Sequence, residues 1–312
     1  MTAATQTALF DEIESDFTVK PERAKRALDE LFEDARKYRT SREFGDLLHF
    51  IANFRFYSPY NAMLVYTQMP GARFVASPKT WERKYGRTMK PGARPLVILQ
   101  PKGPVMFVFD VSDTEDHGFG RPLPSGVERP FEAEGEIGAA LERTIDNARR
   151  DGVRVELRHA GTQSAGEIRR VSKAGTVRYP VSAARDAGHV TIPIRYEVLM
   201  NSDHSRTARY ATLVHELGHL YCGHLGTPDP SWWPARRGLP LDARELEAES
   251  VCYLVCERAG IENPSTEYLA GFVDTDTPTP PVALDAIIRA VTLIESMGRQ
   301  FMKPRDSASP SR

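Results

Sequence analysis

Five consecutive residues, His215-Glu216-Leu217-Gly218-His219, have the types and spacing of a metal hydrolase. On a helix, histidines at i and i+4 share one face a turn apart, so both imidazoles can reach one metal ion. The glutamate between them can serve as general base on a water activated by that metal. Chance placement of 8 histidines and 24 glutamates in 312 residues gives this pattern about 0.016 times. Leu213, Val214 and Leu217 argue for burial, and histidines buried this close want a shared partner.

A catalytic zinc needs a third protein ligand. The stretch Arg244-Glu245-Leu246-Glu247-Ala248-Glu249-Ser250 offers one, with Glu245 and Glu249 on one helix face and Glu247 pointing elsewhere. Glu245 is expected as the ligand and Glu249 as the acid that orients a histidine from behind; the reverse assignment stays open. Cys222 lies on the His215/His219 face as an alternative ligand, though a small buried side chain is the simpler reading. Cys252 and Cys256 continue the Glu245/Glu249 stripe, as packing against the metal helix requires. His224, just past the helix, is either a substrate-site residue or a surface loop residue.

These side chains require positioning elements. Tyr210 to Val214 lead a helix into the motif, and Gly223 is placed to end it. Helices are expected at about 206–222 and 243–258, with an amphipathic one at 281–302 and a disordered tail over 303–312. Upstream, a helix is expected over about 132–150. Val153, Val155 and Leu157 alternate with charges as a half-buried strand. The run His189 to Ile194 forms another strand, which Pro193 places at a sheet edge. A substrate peptide can pair along such an edge, making Thr191 a candidate contact. Residues 10–50 read as helical, and 51–68 continue with a break at Ser58-Pro59. Two strands, 95–100 and 105–109, flank a turn at 101–104. Residues 113–130 are polar and rich in Gly, Pro and Asp, as a linker would be. The expected fold is therefore α+β with two domains: a small helical and β domain over 1–112 and an active-site domain over 131–302.

Composition narrows the function further. Hydrophobic residues make up 41% and charged residues 27% of the chain, and the net charge is −1. That is ordinary globular composition, excluding a collagen-like or wholly disordered chain. No run approaches the length of a membrane span, and the N-terminus lacks a basic start followed by an apolar run. Three cysteines are too few for a disulfide framework. A cytoplasmic setting without membrane partners is expected.

Charge is distributed unevenly. Residues 51–109 hold nine Lys or Arg against one acid, Glu82. Aromatic residues are interleaved with them. A basic surface bearing stacking platforms suits single-stranded nucleic acid, and the candidates are Arg55, Tyr57, Tyr60, Lys79, Trp81, Arg83, Lys84, Arg87 and Lys90. A small α+β core with a solvated basic face has the same composition.

The order Tyr57-Ser-Pro-Tyr-Asn61, Trp81-Glu-Arg-Lys-Tyr-Gly86, Met89-Lys-Pro-Gly92, Pro95-Leu-Val-Ile98 and Phe109-Asp-Val-Ser112 resembles the N-terminal domain of ArdC-type antirestriction proteins. Tyr179-Pro180, Asp186, Val190-Thr-Ile-Pro193, the His-Glu motif and Glu245 to Glu249 follow in matching order. The second half is also similar to ImmA/IrrE metallopeptidases, which Leu220-Tyr-Cys-Gly-His224 resembles most. The resemblance implies a DNA-binding N-terminal domain specific for single strands and a zincin-like C-terminal domain. The expected activity is a zinc-dependent endopeptidase acting on a protein partner, with Glu216 catalytic and His215, His219 and Glu245 on the metal. The alternative is an antirestriction protein that coats single-stranded DNA and uses zinc structurally. A metal hydrolase of nucleotides or lipids is disfavoured by the lack of a Gly-rich phosphate loop and by the edge strand, which favours peptides.

Overall fold

The computed structural model describes residues 41–100, 103–123, 137–159, 166–172, 174–184, 187–261, 269 and 280–305. The fold is α+β, and its backbone divides into two compact units. The smaller unit contains residues 64–122. The larger contains 41–63 and the described residues from 123 onward. The boundary expected at 112 therefore moves in both directions. Residues 114–116 are not linker. They form strand β5 (Thr114–Asp116), which pairs antiparallel with β2 (Arg87–Met89). Residues 124–130, and the helical expectation over 10–40, lie outside the described residues.

In the smaller unit, β4 (Gly103–Asp110) is central, with β1 (Val75–Ala76) and β3 (Leu96–Gln100) antiparallel on either side. The turn residues 101–102 lie outside the description. A short helix (Pro78–Tyr85) follows β1. Its Ser77 side chain accepts the Thr80 N–H, and Pro78 fills the first turn, where no N–H is needed. Trp81 and Tyr85, four residues apart, turn into the core beside Phe74. The Trp81 indole N–H donates to the Phe109 carbonyl at 2.9 Å. Asp110 closes the β1 end by accepting the Arg73 and Phe74 N–H groups at 2.7 and 3.0 Å.

The larger unit opens with α1 (Ser41–Asn53), followed by α2 (Pro59–Gln68), which crosses into the smaller unit; Pro59 marks the expected break. Taking the 78–85 helix as α3, α4 (Ala140–Ala148) starts later than the sequence pattern suggested. Strand β10 (Tyr196–Asn201) is the middle of a three-stranded sheet, parallel to β6 (Val153–Arg158) and antiparallel to β7 (Gly166–Arg170). Tyr196, Val198 and Met200 are buried. Glu197 is gripped by Arg154 from β6 and Arg169 from β7, with shortest contacts of 2.5 Å each. Strands β8 (Thr176–Pro180) and β9 (His189–Pro193) form a separate two-stranded sheet. The core is completed by α5 (Arg206–Tyr221), α6 (Leu241–Arg258) and α7 (Leu284–Arg299).

Helix α6 is buried on nearly every side, so its sequence carries no single apolar stripe. At its C-terminal end, Arg258 donates to the carbonyls of Ile51, Phe54 and Tyr57 at 2.9, 3.1 and 2.7 Å and pairs with Glu295 at 2.7 Å. The tail expected from Lys303 is corrected over 303–305, which are described. Phe301 stacks on Tyr179 with centroids 5.7 Å apart, Tyr179 Oη donates to the Met302 carbonyl, and Arg305 reaches buried Asp151 at 2.5 Å. Residues 306–312 lie outside the description. Among the described residues, no helix is long and apolar enough to cross a membrane. All three cysteines are buried and none is in a disulfide.

Candidate metal centre

Helix α5 is the backbone of the site. Ser205 caps its start by accepting the Ala208 N–H at 3.1 Å. Its end comes at Gly223, where φ is +88°, a left-handed conformation that other side chains rarely adopt. A Cβ there would lie 2.1 Å from the Pro234 carbonyl oxygen, so the returning loop also requires glycine. Gly218, inside the motif, serves packing. A Cβ on it would lie 3.3 Å from Ala248 Cα and from Val251 Cβ of α6. This close crossing brings the α6 acids within reach of the α5 histidines.

The Nε2 atoms of His215 and His219 lie 3.2 Å apart. Glu245 Oε2 is 3.7 Å from the first and 3.6 Å from the second. Four ligands arranged tetrahedrally around zinc, with bonds of about 2.0–2.1 Å, stand about 3.3 Å apart. The three protein atoms therefore have the spacing of three corners of such a site, and their chemistry, two imidazoles and one carboxylate, fits zinc. Glu249 takes the other role: its Oε1 faces His215 Nδ1 at 3.5 Å, on the far side of the ring. The geometry thus favours Glu245 over Glu249 as the third ligand.

Cys222 joins a different cluster. It lies with His224 and Glu247 in a wholly buried group. Arg236 already fills the cation position there, donating to both Glu247 oxygens at 2.7 Å. Cys252 Sγ sits against the Ala211 carbonyl, consistent with a packing role. His224 is neither on the surface nor open to substrate. It is buried behind His219, with the two Nδ1 atoms 2.9 Å apart.

Glu216 points to the sheet side. Its carboxylate accepts the Ile168 backbone N–H of β7. Burial raises the Glu216 pKa above the ordinary carboxylate value, against the opposing pull of His215 and that N–H. The edge strand beside Glu216 is therefore β7. Strand β9 is an edge strand, as expected, but of the separate two-stranded sheet, where exposed Thr191 pairs with Arg178 of β8. Sequence reasoning missed β7 because Gly166-Glu-Ile-Arg-Arg170 has one apolar side chain.

The remaining ionisation follows from contacts. Burial lowers the His215 pKa, but Glu249 outweighs it and carries the ring to about 9. Burial dominates at His219 and lowers it, while its hydrogen bond to Glu245 lowers that acid.

The nucleic-acid candidates belong to both units. Arg55, Tyr57 and Tyr60 belong to the larger unit and the rest to the smaller. Trp81 is 0% exposed, so the expectation that it stacks on a base is corrected: the indole is core. Lys79, Arg83, Lys84 and Lys90 are exposed, whereas Arg87 is half-buried and pairs with Asp116 at 2.7 Å. Among the described residues of this unit, the exposed large aromatic lies outside the basic segment 51–109. Phe119 is 67% exposed and stacked on His117, with centroids 6.1 Å apart. Its strand end is tied back by Arg121 N–H to the Lys84 carbonyl at 2.9 Å and His117 N–H to the Gly86 carbonyl at 3.2 Å.

No family model and no curated protein matches the chain. Among solved structures, it is similar to the metal-free crystal structure of antirestriction protein ArdC from plasmid R388. The two share 13% identity at a TM-score of 0.31, over 78% of this chain and 82% of that one.

Proposed function

We propose that the larger unit is a zinc-dependent endopeptidase of the two-histidine, one-glutamate type. The observation that carries this reading is the convergence of His215, His219 and Glu245 at tetrahedral spacing, with Glu216 beside them. Zinc held there supplies Lewis acidity and lowers the pKa of a coordinated water towards about 7. Glu216, its pKa raised by burial, takes a proton at its carboxylate and returns it to the leaving amine. Strand β7 pairs with β10 along one side, and its other side is the place for an extended peptide to add as a strand. The test is Glu216→Gln, which should keep its zinc and lose peptide hydrolysis by about 10²–10⁴-fold. Undiminished hydrolysis would refute the assignment.

A second reading concerns the smaller unit. The Phe119–His117 stack offers an exposed π-face near Lys84 and Arg121, which suits single-stranded nucleic acid. The motif resemblance to ArdC-type proteins supports the same reading and an antirestriction role in a cytoplasmic setting. Phe119→Ala should weaken binding of a single-stranded oligonucleotide by about 1–3 kcal/mol, the value of one stacked base. Equal affinity in the variant would remove Phe119 as the platform.

A further inference from the structure

We propose that His224, Glu247 and Arg236 form a buried positioning chain that holds His219 in its one metal-competent tautomer. The proposal rests on the metal-centre reading above. His219 must present a bare Nε2 to a metal, which leaves its proton on Nδ1. That nitrogen faces His224 Nδ1 at 2.9 Å, so His224 must accept there and carry its own proton on Nε2. His224 Nε2 lies 2.8 Å from Glu247 Oε2, which as a carboxylate only accepts. The reversed arrangement puts the His219 proton on Nε2, in the metal position. It also sets a bare His224 nitrogen against the carboxylate, two acceptors 2.8 Å apart. With His224 neutral, Glu247 therefore excludes the tautomer that cannot bind metal.

The rest of the chain fixes Glu247 itself. Arg236 donates to both carboxylate oxygens at 2.7 Å, and the Ala283 N–H donates to Oε1 at 2.7 Å. Arg236 is anchored in turn to the Cys222 carbonyl at 3.2 Å. The Glu247 and His224 side chains are 0% and 2% exposed, so water cannot substitute for a missing link. Arg236 also balances the charge of Glu247, so the chain transmits a hydrogen-bond direction rather than a net charge. The two metal histidines are thus oriented differently: His215 directly by Glu249, and His219 by a carboxylate acting through a second histidine.

The experiment is zinc affinity by chelator competition on the full-length chain, with thermal unfolding of the metal-free protein alongside. His224→Phe removes both hydrogen bonds and should bind zinc about 10–100-fold more weakly. His224→Gln keeps one acceptor and one donor on a planar group and should recover most of that loss. Glu247→Gln offers donor and acceptor alike, no longer excludes the wrong tautomer, and should lose about tenfold. It carries the test should His224→Phe fail to fold. Wild-type affinity in His224→Phe or Glu247→Gln would overturn the proposal. So would a His224→Gln chain that folds yet binds as weakly as His224→Phe. A wild-type chain that binds no zinc would instead overturn the metal-centre reading.

Discussion

Arg258 is a heavily committed buried cation in the larger unit, and Arg258→Met should unfold that unit at much lower temperature. The guanidinium holds one carboxylate and three carbonyls, all within 3.1 Å. Removing one partner of a buried ion pair costs about 3–5 kcal/mol, because the other charge is left uncompensated. Three carbonyls losing their donor add about 1 kcal/mol each. Arg299, 3.3 Å from Glu295 but exposed, recovers part of the first contribution. The net loss is about 5 kcal/mol, which for a unit of this size lowers the melting temperature by about 10–20 °C. The double variant Arg258→Met/Glu295→Met removes the orphaned charge and should recover about half of the loss. Thermal unfolding by circular dichroism measures both. A single variant within about 3 °C of wild type, or a double variant no better than the single, would refute the reasoning.

Two further predictions follow from packing and charge. Gly218→Val places branched carbons where a Cβ already stands 3.3 Å from α6, so the helices must separate and zinc affinity should fall at least about tenfold; unchanged affinity by chelator competition would contradict the close-crossing account. Hydrogen bonds from Arg154 and Arg169 hold the Glu197 carboxyl below its ordinary pKa. A lowered carboxyl stabilises the fold above its unfolded pKa and loses that contribution as pH falls through its folded value. The wild-type melting temperature should therefore drop more steeply than that of Glu197→Gln between about pH 5 and pH 3, and parallel curves would count against the network.

The legible part of the site was local. His215 and His219, like Glu245 and Glu249, are spaced by one helical turn, and a turn is visible in any helical stretch. What brings the two turns together is Gly218, whose lack of a side chain matters only once α6 is known to cross it. The positioning chain was invisible for a similar reason: Glu247 sits on the other face of α6, and Arg236 comes from a loop 11 residues upstream. The run 189–194 was legible as an edge strand, but not which sheet it joins, and the short polar strands β5 and β7 carry almost no strand signal. Composition likewise could not separate core Trp81 from exposed Phe119; only packing decides which aromatic ring faces water.

The central claim is that His215, His219 and Glu245 hold one zinc ion. Its most direct test is metal content of the purified full-length chain by elemental analysis, wild type beside Glu245→Ala, after dialysis against zinc and then buffer. The account predicts about one zinc per wild-type chain and a clear reduction in the variant, with the folded fraction unchanged. Full zinc retained in Glu245→Ala would contradict the assignment of Glu245, and a wild-type chain that takes up no zinc would contradict the metal centre altogether.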